Sequence, residues 1–217
     1  MTMKNLTFGL IVIISLINVS CRKDKIDPNI EELEIFKNQT EIQFTGTVLG
    51  NEINWTFDNW ENGIGATYGR SWNLTNDTTI QQFSFEIYDV EKSQEIEHLE
   101  IKSPAFSSND TYSFKKSLFE SGVKKFHSMT STIYEGFEIT VYSKNSIYWS
   151  SYGEQKNSTF NIIKVQELAP NPQTYEPAKL RLWIVLSCNL YNGNEQKVGE
   201  IKDGKYISEV SLETNKF

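Results

Sequence analysis

The chain has 217 residues and a formal net charge of −7, and 38% of its residues are hydrophobic. This acidic balance disfavours binding to nucleic acid or to an anionic surface, because neutralising phosphates requires clustered Lys and Arg. The basic runs are only pairs, Lys115-Lys116 and Lys124-Lys125, and we interpret them as solvated surface.

The first 20 residues have the outline of an export signal. Lys4 is the only charged residue before an apolar stretch from Leu6 to Val19, and the small residue Ser20 precedes Cys21. This order of features is typical of a secretory signal peptide. The uninterrupted apolar core, Leu10–Ile14, is much shorter than the roughly 20 residues needed to span a bilayer.

The Ser20-Cys21 pair resembles the lipidation site of bacterial lipoproteins, with Asn18 at the position where such signals usually have leucine. The resemblance implies that Cys21 is alkylated with diacylglycerol and becomes the mature N-terminus. It further implies a protein of the cell envelope, held at the outer membrane by its lipid anchor, on the periplasmic side or at the cell surface. Secretion without lipid is the alternative.

The mature chain reads as a tether followed by one domain. Residues 21–40 comprise the lipidated N-terminus that the resemblance implies and a polar, charged stretch that predicts a tether between the lipid and the domain. Residues 41–217 have the length of a single all-β domain, or at most of two small ones, and we favour one domain. Helices are scarce: Asp27-Pro28 favours the start of a short one, and Ser113 is expected to cap a second that ends at Gly122.

The domain opens with a hairpin signal. Apolar residues alternate in 42–48 and in 53–57 around Gly50-Asn51, and glycine tolerates the positive φ of a tight turn. A second hairpin is predicted to turn at Asp203-Gly204. Between the two hairpins, further strands are predicted at 83–87, 99–101, 137–141, 147–149, 160–165 and 180–190.

Cys188 lies in the last of these intermediate strands. Residues 180, 182, 184, 186, 188 and 190 are all apolar and fall on one side of a strand of period two. With Cys21 lipidated, Cys188 has no disulfide partner, and we interpret its thiol as a small buried hydrophobic group. Trp55 and Trp183, also in strands, are expected to be packed.

Many short strands separated by turns predict an all-β fold, a single antiparallel β-sandwich with one or two short helices. A calycin-like β-barrel is the alternative. The segments FTGTVLGNEINWTF (44–57) and VGEIKDGKYISEVSL (198–212) resemble the opening and closing hairpins of small Bacteroidota lipoproteins of unknown function. The resemblance implies a β-sandwich at the cell envelope and brings no catalytic residues with it.

Motifs that carry chemistry are scarce. The glycines of 63–69 are spaced one residue too widely for a dinucleotide loop, and there is no P-loop, HExxH or paired CxxC. Ser107–Asp110 and Asn76-Asp77 have the oxygens for calcium, but turns use the same residues, and we favour turns. We therefore expect no catalytic residues, no metal, no cofactor and no enzymatic activity.

Aromatic residues make up 13% of the chain and favour a ligand. Trp60 and Trp72 lie beside turns rich in Asn and Asp, and Trp149 lies near Tyr152. Flat rings beside amides suit a glycan, because the ring covers the sugar's C–H face while the amides bind hydroxyls. The alternative is that these rings cap the ends of the sandwich.

Three function classes follow from these observations. The first is a non-catalytic envelope lipoprotein that captures a glycan or a protein partner. The second is a structural or accessory lipoprotein without a small ligand. The third, a hydrolase, is the least favoured because the motifs for it are missing.

Overall fold

The computed structural model describes residues 36, 39–57, 63–73, 80–91, 94–127, 135–144, 148–170 and 178–212, with the backbone alone for 67–73. The chain divides into two compact units, Met1–Lys37 and Asn38–Phe217. The predicted signal peptide, Cys21, nearly all of the tether and the helix at Asp27-Pro28 lie outside the described residues. All elements below belong to the second unit.

Within the described residues the chain forms twelve strands and one short helix. The strands are β1 (Gln43–Val48), β2 (Asn51–Thr56), β3 (Ile64–Asn73), β4 (Ile80–Asp89), β5 (Ile96–Lys102), β6 (Phe106–Ser107), β7 (Gly122–Val123), β8 (Glu138–Ser143), β9 (Tyr148–Ser150), β10 (Thr159–Leu168), β11 (Lys179–Tyr191) and β12 (Lys197–Ser211). The helix, α1 (Tyr112–Ser117), lies between β6 and β7.

All twelve strands belong to one sheet that nearly closes on itself. Its order is β2-β1-β12-β3-β4-β5-β8-β9-β11-β10-β7, with β6 beside β4, and β11 also pairs with β12. Two joints of the resulting ring are single pairs, the parallel pair Val210 with Gly69 and the antiparallel pair Tyr191 with Ser150. The predicted all-β, antiparallel class is confirmed, and the sheet is barrel-like.

The predicted opening hairpin is confirmed, with its turn one residue earlier than expected. Leu49 and Gly50 have φ values of 51° and 84°, and Asn51 already begins β2. Positive φ at both central residues matches the right-handed twist of the paired strands.

The turn predicted at Asp203-Gly204 is wrong. β12 runs through this pair without a break, and the hairpin between β11 and β12 turns at residues 192–196, where the Asn192 side chain accepts from the N–H groups of Asn194 and Gln196. Asp203, at φ 50°, lies in a β-bulge opposite Gly46. Bulges bend a strand and increase its twist.

The predicted helix capped by Ser113 begins two residues earlier. Thr111 has an extended backbone, and its Oγ1 accepts from the N–H of Phe114 at 3.2 Å. The helix ends at Ser117, well before Gly122. Thr111 rather than Ser113 is therefore the N-cap.

The interior of the ring is apolar and rich in aromatic residues. Tyr206 of β12 stacks on Phe85 of β4 with ring centroids 6.0 Å apart, and it meets Phe44 edge-on at 6.1 Å. Trp55 and Trp183 are buried, as predicted. Cys188 is buried on the predicted face of β11, which is also confirmed.

We expect the Cys188 thiol to react slowly with thiol reagents in the native protein and rapidly in denaturant. The side chain is 2% exposed, and burial raises the pKa of Cys188 to about 12, so the reactive thiolate is suppressed. A Cys21→Ala chain leaves Cys188 as the sole thiol for this measurement. Cys188→Ser should lower the free energy of unfolding by about 1–3 kcal/mol. Rapid labelling of the native chain would contradict the burial.

Candidate functional site

The outer face of β4, β5, β8 and β9 carries polar and aromatic side chains. On each of these strands the alternate residues point inward, and they are apolar: Phe85, Ile87, Leu99, Ile101, Ile139, Val141 and Trp149 belong to the core or pack against it. The period of two in a strand therefore places the residues between them on the outer face.

Four of these outward side chains form a continuous aromatic row across the sheet. Tyr88 on β4 pairs with His98 on β5, His98 with Tyr142 on β8, and Tyr142 with Tyr148 on β9. The successive ring centroids are 5.9, 4.7 and 6.3 Å apart. The His98 and Tyr142 rings stack face to face, whereas Tyr148 is tilted by 43° from Tyr142 and is 56% exposed.

Carboxylates flank the aromatic row and orient it. Glu86 lies 3.3 Å from Nε2 of His98. The buried Glu100 accepts hydrogen bonds from Tyr142 and from Ser84, and it lies 3.4 Å from the ammonium group of Lys102. Burial, and then the Glu100 carboxylate, raise the pKa of Tyr142 above its ordinary value. The Tyr142 hydroxyl therefore remains a proton donor across the physiological pH range.

A cavity of about 540 Å³ opens on one part of the row. Tyr88, His98 and Tyr142 line it together with Glu86 and Glu97. Its size lies within the range of small-molecule sites, and its wall combines flat rings with hydrogen-bond acceptors. We call it the first cavity.

A second cavity of about 410 Å³ lies on the other side of Tyr148. It is lined by Tyr148, Tyr152 and Tyr191, with Glu138 and Glu195 as the charged groups. The Tyr191 hydroxyl donates to the carbonyl oxygen of Glu154. A β-carbon at Gly153 would come within 2.5 Å of the Tyr191 ring, so glycine at this position makes room for that ring.

A histidine supports the second cavity from behind. Tyr152 stacks on His127, with centroids 5.0 Å apart and planes 28° apart. His127 is 3% exposed, and burial lowers the pKa of His127 below 6.5, although the Glu138 carboxylate acts in the opposite direction. The imidazole behind Tyr152 is therefore neutral at neutral pH.

We expect His127 to make the protein less stable in mild acid. The unfolded chain takes up a proton below about pH 6.5, where the folded protein does not yet do so. The contribution of the neutral His127 imidazole to the free energy of unfolding is thus complete above about pH 6.5. It is lost as the pH falls from there through the lowered pKa of His127 in the folded protein. His127→Phe, which keeps a ring on Tyr152, should reduce the loss measured by urea unfolding between pH 8 and pH 5. An unchanged loss in this variant would contradict the expectation.

Of the four residues that the sequence singled out, the structure places one, Tyr152, at the candidate site. Tyr152 lines the second cavity, beside Tyr148. Trp149 is partly buried and packs against the core, so it lies on the opposite side of β9 from Tyr148. Trp72 is near the end of β3, where it pairs with Gln82, and its side chain lies outside the described part of the chain, as does all of Trp60.

The sequence reasoning did not single out Tyr88, His98, Tyr142 or Tyr191. Each of the first three lies one residue beyond the end of a predicted strand and next to an apolar inward residue, so extending those strands by one residue would have found them. Tyr191 ends β11, next to the turn that closes the second cavity.

The described residues give little support for a metal site or a membrane-spanning helix. No group of three or more His, Cys, Asp or Glu among them could hold a metal ion. Asp110 accepts from the N–H of Ser107 at 2.6 Å, so Ser107–Asp110 forms the favoured turn. Asn76-Asp77 lies outside the described residues. In the same part of the chain no helix is both long and apolar enough to cross a membrane.

Comparison with known proteins found no match for the chain among protein-family models, curated proteins or solved structures.

Proposed function

We propose that this protein is a non-catalytic lipoprotein of the cell envelope that captures a glycan on the outer face of β4, β5, β8 and β9. The observation that supports this best is the aromatic row, with a ligand-sized cavity at each of two positions along it. Cys21 supplies the membrane anchor in this proposal. The bacterial envelope is also where the resemblance of the two terminal hairpins would place the chain.

The chemistry of the face suits a sugar chain. Tyr148 offers an open ring for the C–H face of a pyranose, and Tyr152 and Tyr191 offer two more rings within the same cavity. The hydroxyls of these residues and the carboxylates of Glu138 and Glu195 can bind sugar hydroxyls. Because the charged groups lining both cavities are mainly acidic, the expected ligand is neutral or carries amino groups, and a polyuronate is disfavoured.

Binding to neutral oligosaccharides tests this function. Isothermal titration with cello-, manno- and chito-hexaose should detect binding of at least one of them by the wild-type chain. Tyr148→Ala should weaken that binding by about tenfold, since a lost stack of about 1.4 kcal/mol corresponds to this factor. Tyr112→Ala, at a ring in α1 that is 45% exposed, is the matched control and should bind as the wild type does.

Two outcomes would contradict the glycan proposal. One is the absence of binding to all three hexaoses; the other is equal binding by the wild type and the Tyr148→Ala variant. A large fall in melting temperature for Tyr148→Ala would show that the ring serves packing, as in the structural alternative. An exposed ring should change the melting temperature little.

The anchor is tested separately. Cys21→Ala should leave an unprocessed or soluble species in cells that export the protein, because the thiol that would carry the diacylglycerol is gone. Mass spectrometry of the N-terminal peptide from membrane-derived wild-type protein should find an acylated Cys21. An intact, unacylated Cys21 in that fraction would contradict lipidation.

A further inference from the structure

We infer that the two cavities are one site, which holds a linear glycan of at least four sugar units across the sheet. This inference rests on the proposed function and specifies its ligand. The cavities meet at one pair of rings: Tyr142 lines the first, Tyr148 lines the second, and their centroids are 6.3 Å apart. A ligand that leaves the first cavity past Tyr142 therefore reaches Tyr148 directly.

The register of the sheet gives the site its direction. Tyr88, His98, Tyr142 and Tyr148 are direct cross-strand partners, so the row runs perpendicular to the strands. On the far side of β9, Tyr191 of β11 pairs with Ser150, two residues along β9 from Tyr148. The path therefore shifts along β9 by two residues before it reaches the Tyr191 ring, which lines the second cavity together with Tyr148.

The length of this path sets the length of the ligand. From Tyr88 to Tyr191 it crosses four strand-to-strand steps of about 4.8 Å and shifts by two residues, or about 6.6 Å, along β9, which gives a straight-line distance of roughly 20 Å. A disaccharide cannot reach from one end to the other, whereas a tetrasaccharide can.

The two cavities also match in chemistry. Glu86 and Glu97 line the first, and Glu138 and Glu195 line the second. Each cavity thus offers tyrosine rings beside carboxylates, and one repeating chain can satisfy both. Two different ligands would be expected to need two different linings.

The test is a ladder of oligosaccharides of two to six units in the cello-, manno- and chito- series, measured by isothermal titration on the full chain. In the series that binds, affinity should rise on the order of tenfold or more from the disaccharide to the hexasaccharide, with one hexasaccharide per protein. Tyr88→Ala and Tyr191→Ala, at the two ends of the path, should each remove much of that gain. Tyr112→Ala should preserve it, and melting curves should show that all three variants are folded.

The outcomes distinguish this inference from the function on which it rests. Equal affinities for the disaccharide and the hexasaccharide, or two hexasaccharides bound per protein, would overturn the single extended site and leave glycan capture standing. The single extended site would also be overturned if affinity rose with oligosaccharide length as strongly in both Tyr88→Ala and Tyr191→Ala as in the wild type. Failure of every series at every length would overturn the proposed function and this inference together.

Discussion

Gly136→Ala is expected to lower the free energy of unfolding by about 3 kcal/mol or more, measured by urea denaturation. A β-carbon at this position would lie 2.3 Å from the carbonyl carbon of Phe126 and 2.4 Å from the backbone nitrogen of His127. Both neighbours are backbone atoms, which cannot rotate away as the end of a side chain can. The two segments must therefore separate.

The separation would break contacts that matter to the core and to the second cavity. The backbone N–H of His127 donates to the carbonyl oxygen of Phe137 at 2.8 Å, and the backbone N–H of Phe137 donates to the carbonyl oxygen of Lys125 at 2.9 Å. Phe137 stacks on Phe160 with centroids 4.6 Å apart. Movement of His127 would also remove the support behind Tyr152, so glycan binding should weaken along with stability.

Gly193→Ala is the matched control. Gly193 lies in the turn between β11 and β12, and a β-carbon there would have no neighbour within 4 Å. We expect a change within about 0.5 kcal/mol. Equal stabilities of the Gly136→Ala and Gly193→Ala variants would show that the backbone contact at Gly136 relaxes freely, which the two hydrogen bonds argue against.

Strands with one buried face and one exposed face could be predicted from the sequence. The longer strands of this fold have their inner side against the core, and alternation along the chain records that burial directly. The clearest case is β11, where every second residue from Leu180 to Leu190 is buried, including Cys188. The strand predicted at 83–87 follows the same rule, with Phe83, Phe85 and Ile87 buried.

Local structure that depends on pairing with strands far away in the sequence could not be predicted in this way. Asp203-Gly204 has the residues of a tight turn, and a local reading favours a hairpin there. In the fold, β12 keeps its pairing with β11 on one side and with β1 on the other across this pair, so the two residues form a bulge. The long-range ladders outweigh the local preference for a turn.

The candidate site also depends on pairing between strands that are distant in the sequence. The sequence pointed to tryptophans near turns, because loops are where local reasoning finds exposed aromatic residues. The aromatic row instead comes from four strands, and Tyr88 and Tyr142 are far apart in the chain. On β9, alternation sends Trp149 inward and Tyr148 outward, and only the pairing of the strands shows that Tyr148 continues a row.

Glu209→Ala should lower the free energy of unfolding by about 3–5 kcal/mol, because it removes the carboxylate from a buried ion pair. Glu209 lies 3.5 Å from the Lys179 ammonium group and accepts two hydrogen bonds from the Arg181 guanidinium, at 2.6 and 3.1 Å. The Lys179 side chain is only 6% exposed, so its ammonium group depends on protein partners rather than on solvent, and Glu209 is one of them.

The double variant Lys179→Met/Glu209→Met separates the cost of removing a carboxylate from beside a buried ammonium group from the loss of packing. Replacing both members of a buried pair by apolar side chains is often neutral or stabilising, so this variant should unfold close to the wild type in urea. Arg181, whose side chain is 22% exposed, can turn its charge toward water in either variant. If the double variant were as unstable as Glu209→Ala, the ion pair itself would be holding β11 to β12, and the loss of a carboxylate beside the buried Lys179 charge would not explain the result.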